Sequence, residues 1–437
     1  MPLSYLKTWL TPKDSPPVMR PGLSWSRDGE PTRADPPLSC PKKIMSLCQK
    51  CLPRPPCLCM SLGRNVFRDG FLSLAMDIDP GSSDVYRTFG DRYDWFLHIP
   101  RLPSLTPALE NALLATCTAR LGQHTARPAL VQKSLELYTT AVSEIRRAIL
   151  TKSVQDSDQN LAACLSLLLY EAVECPGRNV TGHHARLRGC LELLRMRGAD
   201  DHYSGLARST LQILRLHTVI SNQRRGKTFL AQPEWLYLPW SSQPNSKSLF
   251  DRLVDILLTM PNGLEQIGIL DKITDSWQLL QDLWTAIEEG HKAEYLLQQW
   301  FESFQVALPA PLYHTELSTI ETAADNTERG KLFPVAFRFP DFMVGQSLVL
   351  YWVALMTVQG SLYWTYATLT RLATNLDFIG RGALSCTCGE TAKGTARCLQ
   401  HFTVDDLPEI DHTGPRTAAY NICQSAEYFV KDTTRGF

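Results

Sequence analysis

Apolar positions recur at helical spacing from about residue 105 onward. Thr106 and Pro107 make a sensible helix start, with a hydroxyl cap followed by proline at the first helical position, and the pattern predicts a helix over 107–121. Val131, Leu135, Tyr138, Val142, Ile145 and Ile149 then fall three or four residues apart, one stripe of an amphipathic helix. Ser157 and Asp158 offer a cap for Leu161–Glu174, which is apolar nearly all round through Leu161, Leu165, Leu167, Leu168 and Leu169. A helix of that kind belongs at the centre of a bundle, and Pro176-Gly177 stops it. Leu187, Leu191 and Leu194 stripe a helix over Gly182–Arg197, with Gly198 placed to end it. Another helix follows over Gly205–Arg224, and then an irregular stretch marked by Pro233-Glu234-Trp235 and Pro239-Trp240. Further helices are predicted at 248–260, 276–305, 341–376 and 415–430, separated by long connections at 306–340 and 379–414. No alternating run predicts a strand and no fixed period predicts a repeat. The fold class is all-α, an irregular helical bundle.

The first part of the chain has a different character. Residues 1–60 hold 12 of the 28 prolines and nine basic residues against four acidic ones, without helical or strand periodicity. This divides the chain into a Pro/Cys-rich segment, 1–84, expected to be disordered, and a helical domain, 85–437. Lys and Arg total 44 and Asp and Glu total 44, so the zero net charge excludes a globally basic nucleic-acid coat and a globally acidic tail. The apolar fraction of 44% is enough for a core of ordinary size. Met1–Leu10 carries no apolar run of signal-peptide length. Phe342–Thr370 contains no charged residue, but Gln346, Ser347, Thr357, Gln359, Gly360, Ser361 and Thr365 interrupt it, so a buried core helix is expected and no membrane partner.

The 13 cysteines are odd in number, which argues against a disulfide framework. Cys117, Cys164, Cys175, Cys190 and Cys423 fall in apolar helical patterns and read as small core residues. Cys48-x2-Cys51 has a zinc-knuckle spacing, but Cys57-x-Cys59 makes a poor second half across a stiff proline-rich stretch. Cys386, Cys388, Cys398 and His401 form a second Cys/His group that matches no strong zinc template. Residues 178–227 carry ten Lys/Arg against Glu192, Asp200 and Asp201, and read as a solvated helix face in which Glu192 pairs with Arg188 or Arg195 rather than as a DNA-facing surface. His183-His184 suits capping and packing better than metal binding, since adjacent histidines diverge. Phosphate-loop, nucleophile-elbow and metalloprotease motifs are all missing, so no catalytic, cofactor or metal residue is assigned and the chain is not read as an enzyme.

Four stretches together resemble the regulatory region of the fungal binuclear zinc-cluster transcription factors. They are Leu137–Ile149, Asn160–Glu171, His184–Gly198 with its H-x-x-x-x-G-x-x-x-L-L-x-x-R-G pattern, and the tail from Pro233-Glu234-Trp235 to Pro239-Trp240. The resemblance implies a nuclear regulator of metabolic or secondary-metabolite genes whose helical domain controls activity without catalytic residues. It implies transcriptional co-regulators as partners, a homodimer as an assembly, and DNA as a partner if a zinc-cluster module is present. Zinc is implied only with an upstream cluster. The family's DNA-binding module opens with C-x2-C-x6-C and repeats a similar half, interleaved with basic residues. Here Cys48-x2-Cys51-x5-Cys57 is one residue short, carries only Arg54 between its last two cysteines, and lacks the second half. No zinc ligand is therefore carried over, and a DNA-independent co-regulator or interaction scaffold of the same ancestry is the alternative. Similar proteins continue with more helices, which implies truncation at the C-terminus.

Overall fold

The computed structural model describes residues 95, 98–151, 157–174, 180–221, 228–260, 276–308, 311–321, 325, 330–379 and 413–435. All of them lie in the unit Pro80–Phe437. The expected disorder of 1–84 and both Cys/His groups fall outside the described residues, as does Cys175.

The first helices are α1 (Pro107–His124), α2 (Pro128–Thr151) and α3 (Ser157–Glu174). Thr106 caps α1 by accepting from the Leu109 amide at 3.3 Å, with Pro107 at the first helical position. Its own amide donates to Gln159 Oε1 at 2.7 Å, which ties the start of α1 to the start of α3. The face of α1 turned inward is made of Ala112, Ala115 and Ala119 with Leu109, so the neighbouring backbones approach closely. A Cβ on Gly122 would lie 2.9 Å from Val131 Cγ2 and 3.0 Å from the Val131 amide, so the turn into α2 leaves no room for a side chain there.

The α2 stripe is displaced from the expected one. Ser134, Ala141 and Ile145 are its buried line, while Leu135, Tyr138 and Val142 are half-buried. Two of the three residues on this line, Ser134 and Ala141, are small. Helix α3 is buried on every side from Leu161 to Leu168, as its composition predicts. Thr116 and Ser166 are among the polar residues inside this packing: the Thr116 hydroxyl donates to a carbonyl, with Ala112 O at 3.0 Å and Ser166 O at 2.9 Å both in reach.

Helix α4 (Val180–Arg197) ends where Gly198 takes φ 86, a conformation that favours glycine. Helix α5 (Gly205–Ser221) packs on α3 and α4 and is buried over most of its surface. A short helix α6 (Pro233–Tyr237) and a 3-10 turn (Leu238–Trp240) bury Trp235, Leu236, Pro239 and Trp240 and lead into α7 (Leu249–Thr259). Cys117, Cys164 and Cys190 are buried, as expected, whereas Cys423 is exposed because it lies on the outer face of the last helix.

The remaining elements are α8 (Ser276–Ala307), a hairpin of β1 (His314–Leu317) and β2 (Val335–Arg338), α9 (Phe342–Ile379) and α10 (Thr413–Arg435). The hairpin corrects the expectation of a plain connection over 306–340. Its strands pair antiparallel, His314 opposite Arg338 and Leu317 opposite Val335. Four residues are too few to show an alternating pattern, and the pair depends on aromatic cover. Tyr313 stacks on Phe337 at 4.2 Å, and Phe337 and Trp352 are 6.0 Å apart. Helix α9 contains a stretch, Phe342–Arg371, long and apolar enough to cross a membrane, but Val344, Leu348, Ala354 and Leu369 are buried between α8, α10 and the hairpin. It is the core helix of this half. A Cβ on Gly290 would lie 2.7 Å from Leu362 Cδ2, so the α8–α9 contact also depends on a missing side chain.

Leu168 has no exposure. Leu168→Asp would leave an unpaired carboxylate in the centre of the bundle, and a loss of more than about 4 kcal/mol is expected. Circular dichroism melting checks this: a native-like helical signal and an unchanged transition would show that α3 is not the central helix.

Candidate functional site

The described part of the charge-rich segment 178–227 is a solvated face only in part: Arg188, Arg195, Asp200 and Asp201 are exposed. Arg186, Arg197 and Arg215 turn inward and pair with acids remote in sequence. Arg186 donates through Nε to Glu171 Oε1 and lies 4.9 Å from the Tyr138 ring centroid. Tyr138 donates to the same oxygen at 2.6 Å. Burial pushes the Glu171 carboxyl up from its ordinary range. Arg197 pairs with Asp158 at the start of α3. Arg195 lies over Phe229 at 5.8 Å. Arg178, Arg224, Arg225 and Lys227 fall outside the described residues.

The densest of these groupings surrounds Arg215 on α5. Its side chain has 0% exposure. Arg215 Nη2 donates to Asp255 Oδ1, and Nη1 lies 3.6 Å from Asp251 Oδ1, both on α7. Lys247 pairs with the other oxygen of Asp255 and donates to Leu236 O at 2.7 Å. Asp251 is also the N-terminal cap partner of α7: Ser248 donates its hydroxyl to Oδ2 at 2.8 Å, and the Asp251 amide donates back to Ser248 Oγ at 3.0 Å. Gln212, one turn before Arg215, donates to the same Oδ2 at 2.9 Å. Trp240 supplies the floor, with Lys247 Nζ 4.4 Å and Arg215 Cζ 4.8 Å from its ring centroid. Arg208, two turns before Arg215, donates to Pro239 O at 2.6 Å and to Ser246 Oγ at 2.8 Å.

The electrostatics follow from burial. Desolvation pushes the Asp255 carboxyl up, against the downward pull of Arg215 and Lys247. It pushes the Lys247 ammonium down, against the support of Asp255. Such a cluster holds three elements in one register. Among the described residues no group of three or more His, Cys, Asp or Glu could hold a metal ion.

Asp251, Asp255, Lys247 and Trp240 were not assigned a role from the sequence, although a signal was present. Arg208 and Arg215 are seven residues apart, and Asp251 and Asp255 four apart, so each pair lies on one helix face and the two faces carry opposite charge. His183 and His184 sit in the first turns of α4, and the His183 ring packs 5.7 Å from that of His217 on α5. His202, not singled out from the sequence, is fully buried beside Trp235 at 6.0 Å, with Nδ1 3.1 Å from Ala207 O.

Breaking the Arg215 pair should be costly. Arg215→Met is expected to cost on the order of 3 kcal/mol, because it leaves buried carboxylates under-matched. Adding Asp255→Leu should recover part of that loss, and a urea double-mutant cycle reads the coupling; strict additivity would show that the two groups do not interact. His202 gives a pH signature. Burial pushes its imidazole down to about 4, with Arg197 adding to the effect and the Ala207 carbonyl opposing it. The folded chain therefore holds it neutral, while the unfolded chain protonates it near its ordinary value of about 6.5. Stability conferred by this group is complete above that value and is lost as pH falls toward 4, by on the order of 3 kcal/mol. Unfolding free energies at pH 7.5 and 4.5 should fall more steeply in the parent chain than in His202→Asn; parallel curves would refute this account.

Comparison with known proteins comes to bear on these same elements. The family model described as the fungal specific transcription factor domain matches residues 45–267. No curated protein and no solved structure matches the chain significantly. The matched residues take in α1 to α7 and the whole Arg215 cluster, while α8, α9, α10 and the hairpin lie beyond them. The match covers just over half of the chain, which therefore belongs to the family of proteins with a fungal specific transcription factor domain.

Proposed function

We propose that this chain acts in the nucleus as a regulator of metabolic or secondary-metabolite genes, with the helical domain over 85–437 controlling its activity. The observation that carries the reading is the family match over 45–267. The architecture of that stretch suits the role. Its polar interior is built from ion pairs that hold helices in register, an arrangement suited to transmitting position rather than to bond chemistry. Its partners would be transcriptional co-regulators and a second copy of the chain, with DNA reached through a zinc-cluster module where one is present.

The cysteine spacing favours a second reading. Cys48, Cys51 and Cys57 miss the family's zinc-cluster spacing by one residue. A DNA-independent co-regulator of the same ancestry then acts by docking on a DNA-bound partner.

Fusion of the full chain to a heterologous DNA-binding module tests the regulatory reading. A reporter is expected to change at least fivefold with the fusion and to return to baseline with Leu168→Asp. A nuclear, folded fusion that leaves the reporter unchanged would refute it. Titration of the unfused chain with duplex DNA at several salt concentrations separates the two readings, since direct phosphate contacts give an affinity that falls steeply with salt.

A further inference from the structure

The Arg215 cluster has more donors than acceptors. Its cations are Arg208, Arg215 and Lys247; its anions are Asp251 and Asp255. Every carboxylate oxygen already faces a partner. Asp255 takes Arg215 on one oxygen and Lys247 on the other. Asp251 Oδ2 takes Ser248 and Gln212, and its Oδ1 lies 3.6 Å from Arg215 Nη1. Pro239 O and Ser246 Oγ take the two terminal nitrogens of Arg208. After this, three buried donors have no acceptor, Arg215 Nε, Arg208 Nε and Trp240 Nε1, while Arg215 Nη1 has only the ion pair to Asp251 at 3.6 Å.

These donors share one neighbourhood. The Arg215 and Arg208 guanidinium carbons lie 4.8 and 6.0 Å from the Trp240 ring centroid. Both arginines lie on one face of α5, two turns apart. Burying a cationic donor without an acceptor costs a few kcal/mol, more than a neutral one, so a surplus of positive charge and of N–H groups at one place favours an acceptor that carries negative charge. The Arg208 end lies nearer to solvent: Arg208 is half-buried and Ser246 is exposed, whereas Arg215 has no exposure.

We propose that Arg208, Arg215 and Trp240 together form a binding site for a compact oxyanion, a carboxylate or a phosphate group. Guanidinium N–H groups match either oxyanion. The indole N–H adds a neutral donor, and Asp251 and Asp255 on the far side of Arg215 fix its orientation. The inference rests on this cluster and not on the transcriptional reading. An occupied site would add an anion to the contact between α5 and the Leu238–Ser248 stretch and so stiffen the approach to α7.

The test uses the full chain in low-salt buffer, titrated with sodium phosphate or sodium acetate at constant ionic strength and followed by calorimetry and melting temperature. Saturable binding of either probe is expected, with a melting temperature that rises with probe concentration. The tighter of the two probes identifies the group. Arg208→Gln should weaken binding at least tenfold. Trp240→Phe keeps the aromatic face but removes its N–H, and should weaken binding severalfold; it carries the test if Arg208→Gln does not fold. A folded parent chain that binds neither probe saturably, or variants that bind as well as the parent, would overturn the proposal and leave water as the acceptor.

Discussion

A guanidinium with no contact with solvent dictates the arrangement around it. Arg215 cannot be left unmatched inside a helix bundle, so α5 must face the acids of α7, and the chain between them must bring Trp240 and Lys247 to the same place. Asp251 binds two constraints into one, because the carboxylate that closes the capping box of α7 also faces Arg215. The start of α7 and the buried charge are therefore not independent features. Leu249, in the first turn of α7, extends the link: its carbonyl accepts from Trp300 Nε1 at 2.8 Å, which joins α7 to α8.

The two halves of the domain solve the packing problem by different means. In α1 to α5 the closest contacts use alanine, serine, cysteine and glycine, and some of the polar groups that enter with them are paired, as Tyr138 and Arg186 are on Glu171. Close backbones make such a core sensitive to added volume. In α8 to α10 and the hairpin the contacts are mostly aromatic. Trp300 meets Phe304 and Tyr351, and Phe339 meets Tyr428 and Phe429, at ring separations of 4.8 to 6.1 Å. Large rings span wider gaps between helices and tolerate a short hairpin laid across them.

Much of this was legible from the sequence where the determinants are local. The Thr106 cap, the all-round apolarity of Leu161–Leu168 and the stop at Gly198 depend on residues within one or two turns. The determinants of the rest are distant. The displaced stripe of α2 depends on which neighbour comes closest, and periodicity does not encode that. The inward turn of Arg215 depends on acids 36 and 40 residues later. The family resemblance drawn from Leu137–Ile149, Asn160–Glu171 and His184–Gly198 agrees with the family match, and these are the stretches with the strongest local patterns. The candidate site was half visible: its arginines were noticed as an excess of charge, but their partners were not.

The hairpin end is fastened across a long stretch of chain. Glu427 on α10 is buried and accepts from the amide of Thr319, at 3.0 and 3.1 Å, and from its hydroxyl at 2.8 Å, although the two residues are 108 positions apart. Phe339, beside β2, is covered by Tyr428 and Phe429 of the same helix. During synthesis the hairpin leaves the ribosome well before the helix that covers it. At translation rates of about 5–20 residues per second, its aromatic face waits for several seconds without its cover. In that interval the uncovered rings are open to contact with other chains.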